Sequence, residues 1–463
     1  MADTVSRRLP LLLGALIASA CTAAGTAAVE PAAAPALAQL AFPGAEGAGA
    51  HSQGGRGGRV LRVTTLADSG PGSLRAAVEA SGARTIIFDV GGTIQLRSPL
   101  RIREGRITIA GQSAPGGGIT LRDQPITIEA DDVLVRYIRA RLGDETRVEA
   151  DAFSIVRGRR IIVDHVSASW SIDETLSAGE PARDASRGVY DVTVQWSIIA
   201  ESLNGSGHAK GSHGYGTLVR AGFGARLSWH HNLWAHHSAR MPRPGNYNGP
   251  DVDSTGPLIE FRSNVFYNWG GQRSGYNADE ASHIVYNFID NAYVAGPNST
   301  RPIAFQESNR LARAYFAGNS MNGAIPADPW SLVTGLAVAE NRLSQPVDVA
   351  PVRRDPAPSA FERVLARAGA SRVRDPVDAR IVASVRSRGG TIIDSQSEVG
   401  GWPALAAGAP WRDSDGDGLP DDWERRNRLN PTDSADGNAD RDRDGYTNLE
   451  EWLAELAAAA LAR

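Results

Sequence analysis

Short runs of β-branched and aromatic residues recur along the middle of the chain, separated by polar or glycine-containing turns. They begin at Thr85 to Val90 and continue through Arg106 to Ala110, Ile119 to Arg122, Ile126 to Ile128, Val133 to Ile138, Ile161 to Val166 and Val192 to Ile199. Leu227 to Trp234, Ile259 to Tyr267, Ile284 to Ile289 and Ala314 to Phe316 follow. With Val163, Val194, Trp229, Phe261, Val285 and Tyr315 as equivalent positions, the steps are 31, 35, 32, 24 and 30 residues. Periods of that size mark stacked repeats. The amphipathic helices a helical solenoid needs are missing here, and the hairpin turns a sandwich would show are few. Asn232, Asn264, Asn287 and Asn319 follow their strands at one relative place. Amides stacked at a tight bend can bond along the stack and satisfy buried turn backbone. The pattern predicts an all-β chain folded as a right-handed parallel β-helix, and His165, His230 and His231 read as packing groups within it.

Residues 41–345 are assigned to this coil. Ser73 to Ala80 reads as a short helix with Ser73 as N-cap. Beyond 345 the texture changes: Ser359 to Gly369 looks helical, with Ser359 and Glu362 spaced as a capping box, and Pro376 to Arg388 looks helical too. Residues 346–412 are expected to pack back along the coil, ending in a linker at 404–412. The N-terminus carries Arg7 and Arg8, an apolar run from Leu9 to Ala18 and the small-residue site Ala18-Ser19-Ala20. That is an export signal over 1–20, too short to remain as a membrane span, with 21–40 as leader or tether. Cys21, the sole cysteine, follows it in a lipobox-like setting that makes it a candidate lipid anchor, and Ala36-Leu37-Ala38 is a second candidate cleavage site. The expected destination is outside the cell, the periplasm or the cell surface.

Residues 413–463 form a module of their own. Asp413, Asp415, Asp417, Gly418 and Glu424 fit the D-x-D-x-D-G-x5-E loop, and Asp440, Asp442, Asp444, Gly445 and Glu451 fit it again. Carboxylates at positions 1, 3, 5 and 12 supply hard oxygens for Ca²⁺, and glycine at position 6 permits the turn. Asp421, at position 9 of the first loop, is included in the candidate set. Trp423 and Trp452 are expected to share the module's core. The pair resembles dockerin-like or thrombospondin-type-3-like calcium modules; a dockerin role would imply a cohesin-like partner.

Charge narrows the chemistry. A net charge of -4 argues against general nucleic-acid binding. Arginine has displaced lysine everywhere but Lys210, in the loop Gly207 to His213. The retained ammonium, compact and mobile, marks that loop as a place to hold an anion. Glu149 and Asp151 lie two apart before a strand, on one face. Asp173 and Glu174 follow the next strand, and adjacent coils lie about 4.8 Å apart, so the two pairs can converge on one Ca²⁺. Arg240 and Arg243 come further along and, with Lys210, would form a cationic wall opposite the acids. Such a cleft suits a polyanion.

At this point the chain resembles the pectate lyases of the parallel β-helix polysaccharide lyase superfamily. The resemblance is carried by Ala41 to Gly47, Asp68 to Arg75, Val163-Asp164-His165, His230-His231-Asn232 and Ala239-Arg240-Met241-Pro242-Arg243. It implies a monomer that cleaves polygalacturonate by Ca²⁺-dependent β-elimination. Residue by residue, it makes Asp151 a calcium ligand with Glu149 beside it, and Asp173 or Glu174 the next. Arg240 matches the proton-abstracting arginine, and Lys210 and Arg243, read together with His213, match substrate-binding groups. Three features depart from the family. Ser177 and Ala178 stand where a second late carboxylate is usual, Arg243 follows Arg240 by three residues rather than five, and Lys210 comes late in its loop. The rival readings are a β-helix glycoside hydrolase, which needs an acid and a base carboxylate, a calcium-independent pectin lyase, and a non-catalytic polysaccharide-binding coil.

Overall fold

The computed structural model describes residues 39–179, 181, 184–335 and 339–461. The expected signal, tether and Cys21 therefore lie outside the described residues, apart from positions 39 and 40. Every pairing between named strands is parallel, and successive strands of a sheet come from successive turns of the chain. One sheet stacks ten strands from Arg59–Val63 to Ala312–Ala317, and a second stacks nine from Gly92–Gln95 to Ser320–Met321. A third line of strands runs from Leu100–Ile102 through Ile126–Glu129, Leu176–Ala178 and Leu218–Arg220 to Arg243–Gly245. The long strand Phe153–Asp164 joins the first and third sheets, pairing with Ile126–Glu129 through one half and Val133–Arg136 through the other. The bend between them falls at Gly158, where a Cβ would lie 2.2 Å from the Ala130 carbonyl oxygen. Only glycine fits there. The chain is a parallel β-helix.

Its interior is an apolar column built by register. Val163 pairs with Val194, Val194 with Trp229 and Trp229 with Phe261, as the sequence predicts. Phe261 then pairs with Phe288, and Phe288 with Phe316, so Val285 and Tyr315 are not the equivalents. The correction has a simple cause: the inward column continues through the large aromatic rings, which stack 4.8 Å apart. The asparagine ladder is corrected in the same turn. Ser197 N donates to Asn232 Oδ1, Asn232 N to Asn264, Asn264 N to Asn291 and Asn291 N to Asn319. Asn287 sits inside strand Ile284–Ile289 and bonds Val347 instead. Each ladder amide satisfies otherwise stranded backbone, a net gain of about 0.5–1.5 kcal/mol per bond.

The residue before each ladder position turns the corner in the left-handed region: Trp196, His231, Ser263 and Asp290 have φ between 50° and 56°, Gly318 lies at 67°, and His165 makes the same turn one coil earlier at 53°. Tyr137 occupies the same place on an earlier coil at 55°. Their side chains leave the coil together. Tyr137 stacks on His165 at 4.6 Å and Trp196 on His231 at 4.3 Å. Asp164 is gripped by Arg136 and His165, and these charges hold its carboxyl well below the usual range. The Asp-His and His-His-Asn motifs are thus corner architecture, in keeping with the packing role expected of His165, His230 and His231.

Helix Leu74–Val78 is capped by Ser73, whose hydroxyl accepts from Ala76 N. Helices Ala357–Arg367 and Pro376–Ser387 bury Val364, Leu365, Ile381 and Val385 against Leu233, Val265 and Tyr267 of the second sheet. Arg141 anchors them through Asp375 and Asp378. Helix Ala357–Arg367 begins at Pro356 without a side-chain cap, so the Ser359/Glu362 box does not form. Ser395 and Glu398 make that motif on the turn Gln396–Val399. Residues 404–412 are not a free linker: Ala406 O accepts from Gly117 N at 2.8 Å, and Trp411 Nε1 donates to Ser113 O at 3.1 Å. Leu419, Trp423, Leu449, Trp452 and Leu453 then form a core with Ile87 and Ala110 of the first sheet. Arg62 pairs with Asp413 and Arg56 with Glu450 across this contact. The C-terminal helices are docked on the coil's flank. No helix among the described residues is long and apolar enough to cross a membrane.

Candidate active site

Register on the third sheet assembles the site. Phe153 pairs with Leu176, which sets Asp151 beside Glu174 on the adjacent coil. Glu174 bridges to Tyr215, and Tyr215 to Ala239, so four successive rungs carry Asp151, Glu174, Tyr215 and Ala239. Oxygens of Asp151, Asp173 and Glu174 lie within 4.8 Å of one another. Arg240, next to Ala239, reaches back over the Tyr215 ring, 4.2 Å from its centroid, and closes an ion pair with Glu174. The acids and Arg240 share one face.

Three acidic groups so close repel one another. Burial first, and then the Asp173 charge, push Asp151 up to about 7, against hydrogen bonds from Ser177 and Ser154 and the opposing Arg240 charge. Ser154 Oγ donates to Asp151 at 2.9 Å. A divalent cation is the chemical complement of such a group: hard oxygens from neighbouring coils, one side facing the Lys210 loop.

The remaining expected residues are distributed less simply. Glu149 does not join the three acids. Its carboxylate accepts from Ala209 N at 3.0 Å and lies 3.8 Å from His208 Nε2, because 147–151 is irregular rather than a strand. His213, expected to face substrate, is buried against the acids with Nε2 2.9 Å from Asp173 and its ring 4.0 Å from that of His208. Its protonated form is disfavoured by burial, with Asp173 opposing. These contacts fasten the Gly207 to His213 loop over the acids and leave Lys210 exposed at its tip. Arg243, on strand Arg243–Gly245, faces Asp279 at 3.9 Å, an acid it shares with Arg220. Tyr215, His208 and Asp279 escape sequence reasoning. Tyr215 and His208 lie on the connection between strands Ile198–Ala200 and Leu218–Arg220, whose register no local pattern fixes.

The C-terminal loops form two further acidic groups, Asp413, Asp415, Asp417 and Asp440, Asp442, Asp444. In the first, Glu424 is fully buried, and neither of its carboxylate oxygens has a hydrogen-bond partner. Burial and then the charge of Asp415 push it up to about 7, and Asp417 likewise. Asp421, expected as a ligand, turns away. It accepts from Ser414 N and Oγ and pairs with Arg412 and Arg425, so it braces the loop from behind. The second loop is exposed, with Glu451 held by Arg441.

No family model matches the chain. A protein of Aspergillus fumigatus described as "probable pectate lyase C" is 37% identical over 428 residues, covering 90% of this chain and 94% of its own length. Its counterpart in Neosartorya fischeri is 38% identical over 429 residues, with coverage of 90% and 94%. Among solved structures, jun a 1, the major allergen of cedar pollen, matches with a TM-score of 0.50 at 16% identity, covering 70% of this chain and 92% of that one. That likeness bears on the fold, and the curated relatives carry the class. The coil and its relatives together define a polysaccharide lyase of the parallel β-helix type. More narrowly, the chain belongs to the pectate lyase family.

Proposed function

We propose that this enzyme is exported and cleaves (1→4)-α-D-galacturonan by β-elimination, with Ca²⁺ held by Asp151, Asp173 and Glu174. The observation that carries the reading is the convergence of these three carboxylates with Arg240 on one face of the coil. Bound Ca²⁺ would withdraw charge from the uronate carboxylate and acidify the C5 proton. Arg240 meets that proton. A guanidinium normally keeps its own proton up to about pH 12, and here Arg240 is paired with the Glu174 carboxylate. Were Glu174 to serve as a ligand, Arg240 would be released from that pair to face the C5 proton. The electron pair released at C5 forms the C4–C5 double bond, the C4–O bond breaks, and the departing oxygen takes up a proton. Lys210, exposed at its loop tip, and Arg243 are assigned to neighbouring uronate carboxylates, while His208, His213 and Glu149 hold the loop in place.

The C-terminal residues Asp413, Asp415, Asp417 and Glu424, and Asp440, Asp442, Asp444 and Glu451, are assigned to two structural Ca²⁺ sites in the dockerin-like or thrombospondin-type-3-like manner. The partnerless oxygens of Glu424 support the first. Docking of both helices on the coil favours an internal brace over a cohesin partner.

The test is product absorbance. Polygalacturonate treated with full-length enzyme and Ca²⁺ is expected to yield a conjugated, ultraviolet-absorbing uronate, with loss of signal in Asp151→Asn. Reducing ends released without that chromophore would mean hydrolysis and end the lyase reading.

A further inference from the structure

We propose that Asp436, which lies outside both twelve-residue loops, is a fifth carboxylate ligand of the first C-terminal cation site. The inference rests on the reading of residues 413–463 as a cation-binding module and deepens it: the site is a closed cage formed by the 413–417 loop, Glu424 and the turn 433–437.

Five carboxylate oxygens in this region are buried without a hydrogen-bond partner: Asp415 Oδ2, Asp417 Oδ2, both of Glu424 and Asp436 Oδ1. A buried carboxylate left unpaired is too costly to persist, so such atoms are ligated or protonated. Asp436 is held for the task. Its Oδ2 accepts from Asn430 N at 3.1 Å, leaving Oδ1 for the interior. Its main-chain carbonyl accepts from Asn448 Nδ2 at 2.7 Å, and Gly437 O accepts from Leu449 N at 3.1 Å. These two bonds fix the turn against the start of helix Asn448–Leu461. At Gly437 a Cβ would lie 2.4 Å from Asp417 Oδ2, so the close approach demands glycine.

Among the described residues, no arginine or lysine pairs with Asp415, Asp417, Glu424 or Asp436. Arg62 pairs with Asp413, on the side that faces Asp89 of the coil. A hard cation taking about six to eight oxygens fits, and five carboxylates give a set of high charge density. In the second loop Asp440, Asp442 and Asp444 are exposed, and Glu451 Oε1 is its one buried carboxylate oxygen without a hydrogen-bond partner among the described residues. The first site should therefore bind the more tightly. Because Asn448 begins the second helix, a cation there would tie the turn between the loops to the Arg62 contact.

The experiment uses full-length protein stripped with EDTA, titrated with Tb³⁺ through luminescence sensitised by nearby Trp423 and crystallised with Ca²⁺ or Tb³⁺ for anomalous scattering. The expected result is an ion about 2.3–2.6 Å from Asp436 Oδ1. Asp436→Asn should weaken one class of sites at least about tenfold and leave the other unchanged, with Glu104→Gln, exposed on the coil, as a neutral control. If the Asp436 variant does not fold, the ion position in the unaltered protein decides. An ion held by Asp413, Asp415, Asp417 and Glu424 with both Asp436 oxygens more than about 4 Å away, or an unchanged titration, overturns the inference and leaves the module reading standing. No ion at all between Asp413 and Glu451 overturns both.

Discussion

The acids of the third sheet and those of the first C-terminal loop each gather carboxylates within reach of one ion, but their surroundings differ. On the coil, Asp151 and Asp173 remain partly open, and Arg240 covers Glu174. In the C-terminal loop Glu424 is fully buried, and among the described residues no basic side chain pairs with it. The first arrangement keeps room and opposite charge for a polyanionic substrate to enter. The second spends the same residue type on closure. Divalent-ion affinity alone therefore does not mark a catalytic site; the companions of the acids do.

The largest expected effect breaks that comparison at Arg240. Arg240→Ala should lower turnover on polygalacturonate by about 10²–10⁴-fold, the usual worth of a positioned proton-transfer group, with cooperative unfolding retained. Activity near the unaltered level would make the coil cluster merely another cation site.

Removing the cation should separate the two clusters next. A ligand at one hundred times its Kd stabilises by about 2.7 kcal/mol. Calorimetry of full-length protein should therefore show a calcium-dependent rise in Tm. That rise should be reduced in Glu424→Gln and persist in Asp151→Asn, whereas activity should follow the reverse order. Equal dependence of both readouts on both residues would erase the distinction.

Much of this was legible in the sequence, for a physical reason. A coil buries one residue type per column, so period and alternation announce the fold, and the twelve-residue calcium loops carry their ligands at fixed local spacing. What fails to show is register across long insertions. Asp151 and Glu174 were separable as acids on adjacent coils, but the Tyr215 rung between Glu174 and Ala239 depends on how the 201–216 loop folds back. The slips at Val285, Tyr315 and Asn287 have a related origin: the later coils are 27 and 28 residues apart where earlier ones are 35 and 32. Constant spacing could not be carried through the change. His213 reads as a substrate-binding residue because nothing local reveals its contact with Asp173.

A smaller effect sharpens the role of the rung that was missed. The Tyr215 ring supports the Arg240 guanidinium through its face, an interaction of about 0.5–2 kcal/mol. Tyr215→Phe keeps the face and should keep the rate. Tyr215→Leu removes it and should lower kcat by roughly tenfold with little change in KM. Equal losses in the two variants would assign the role to the hydroxyl instead.

Glu307 supplies the control for both clusters, since it is a buried acid without a converging set of carboxylates. It ends strand Ser299–Glu307, accepts from Asn309 N at 2.7 Å through Oε1, and leaves Oε2 buried without a partner. Burial pushes its carboxyl up to about 8, against the backbone bonds from Asn309 and Ser308, with a small addition from Asp279. In the unfolded chain the same group titrates near 4.3. Between those values the folded state holds a proton that the unfolded state has released, so this group lowers stability as pH rises, by about 1.4 kcal/mol per unit. Below about pH 4 both states are protonated and the penalty vanishes; above about 8 it stays constant. Glu307→Gln should therefore match the unaltered protein at pH 4 and exceed it by a few kcal/mol at pH 8 in guanidinium unfolding. Because no cation site is assigned here, the difference should be the same with Ca²⁺ and with EDTA. A calcium-dependent difference would place Glu307 with the clusters rather than apart from them.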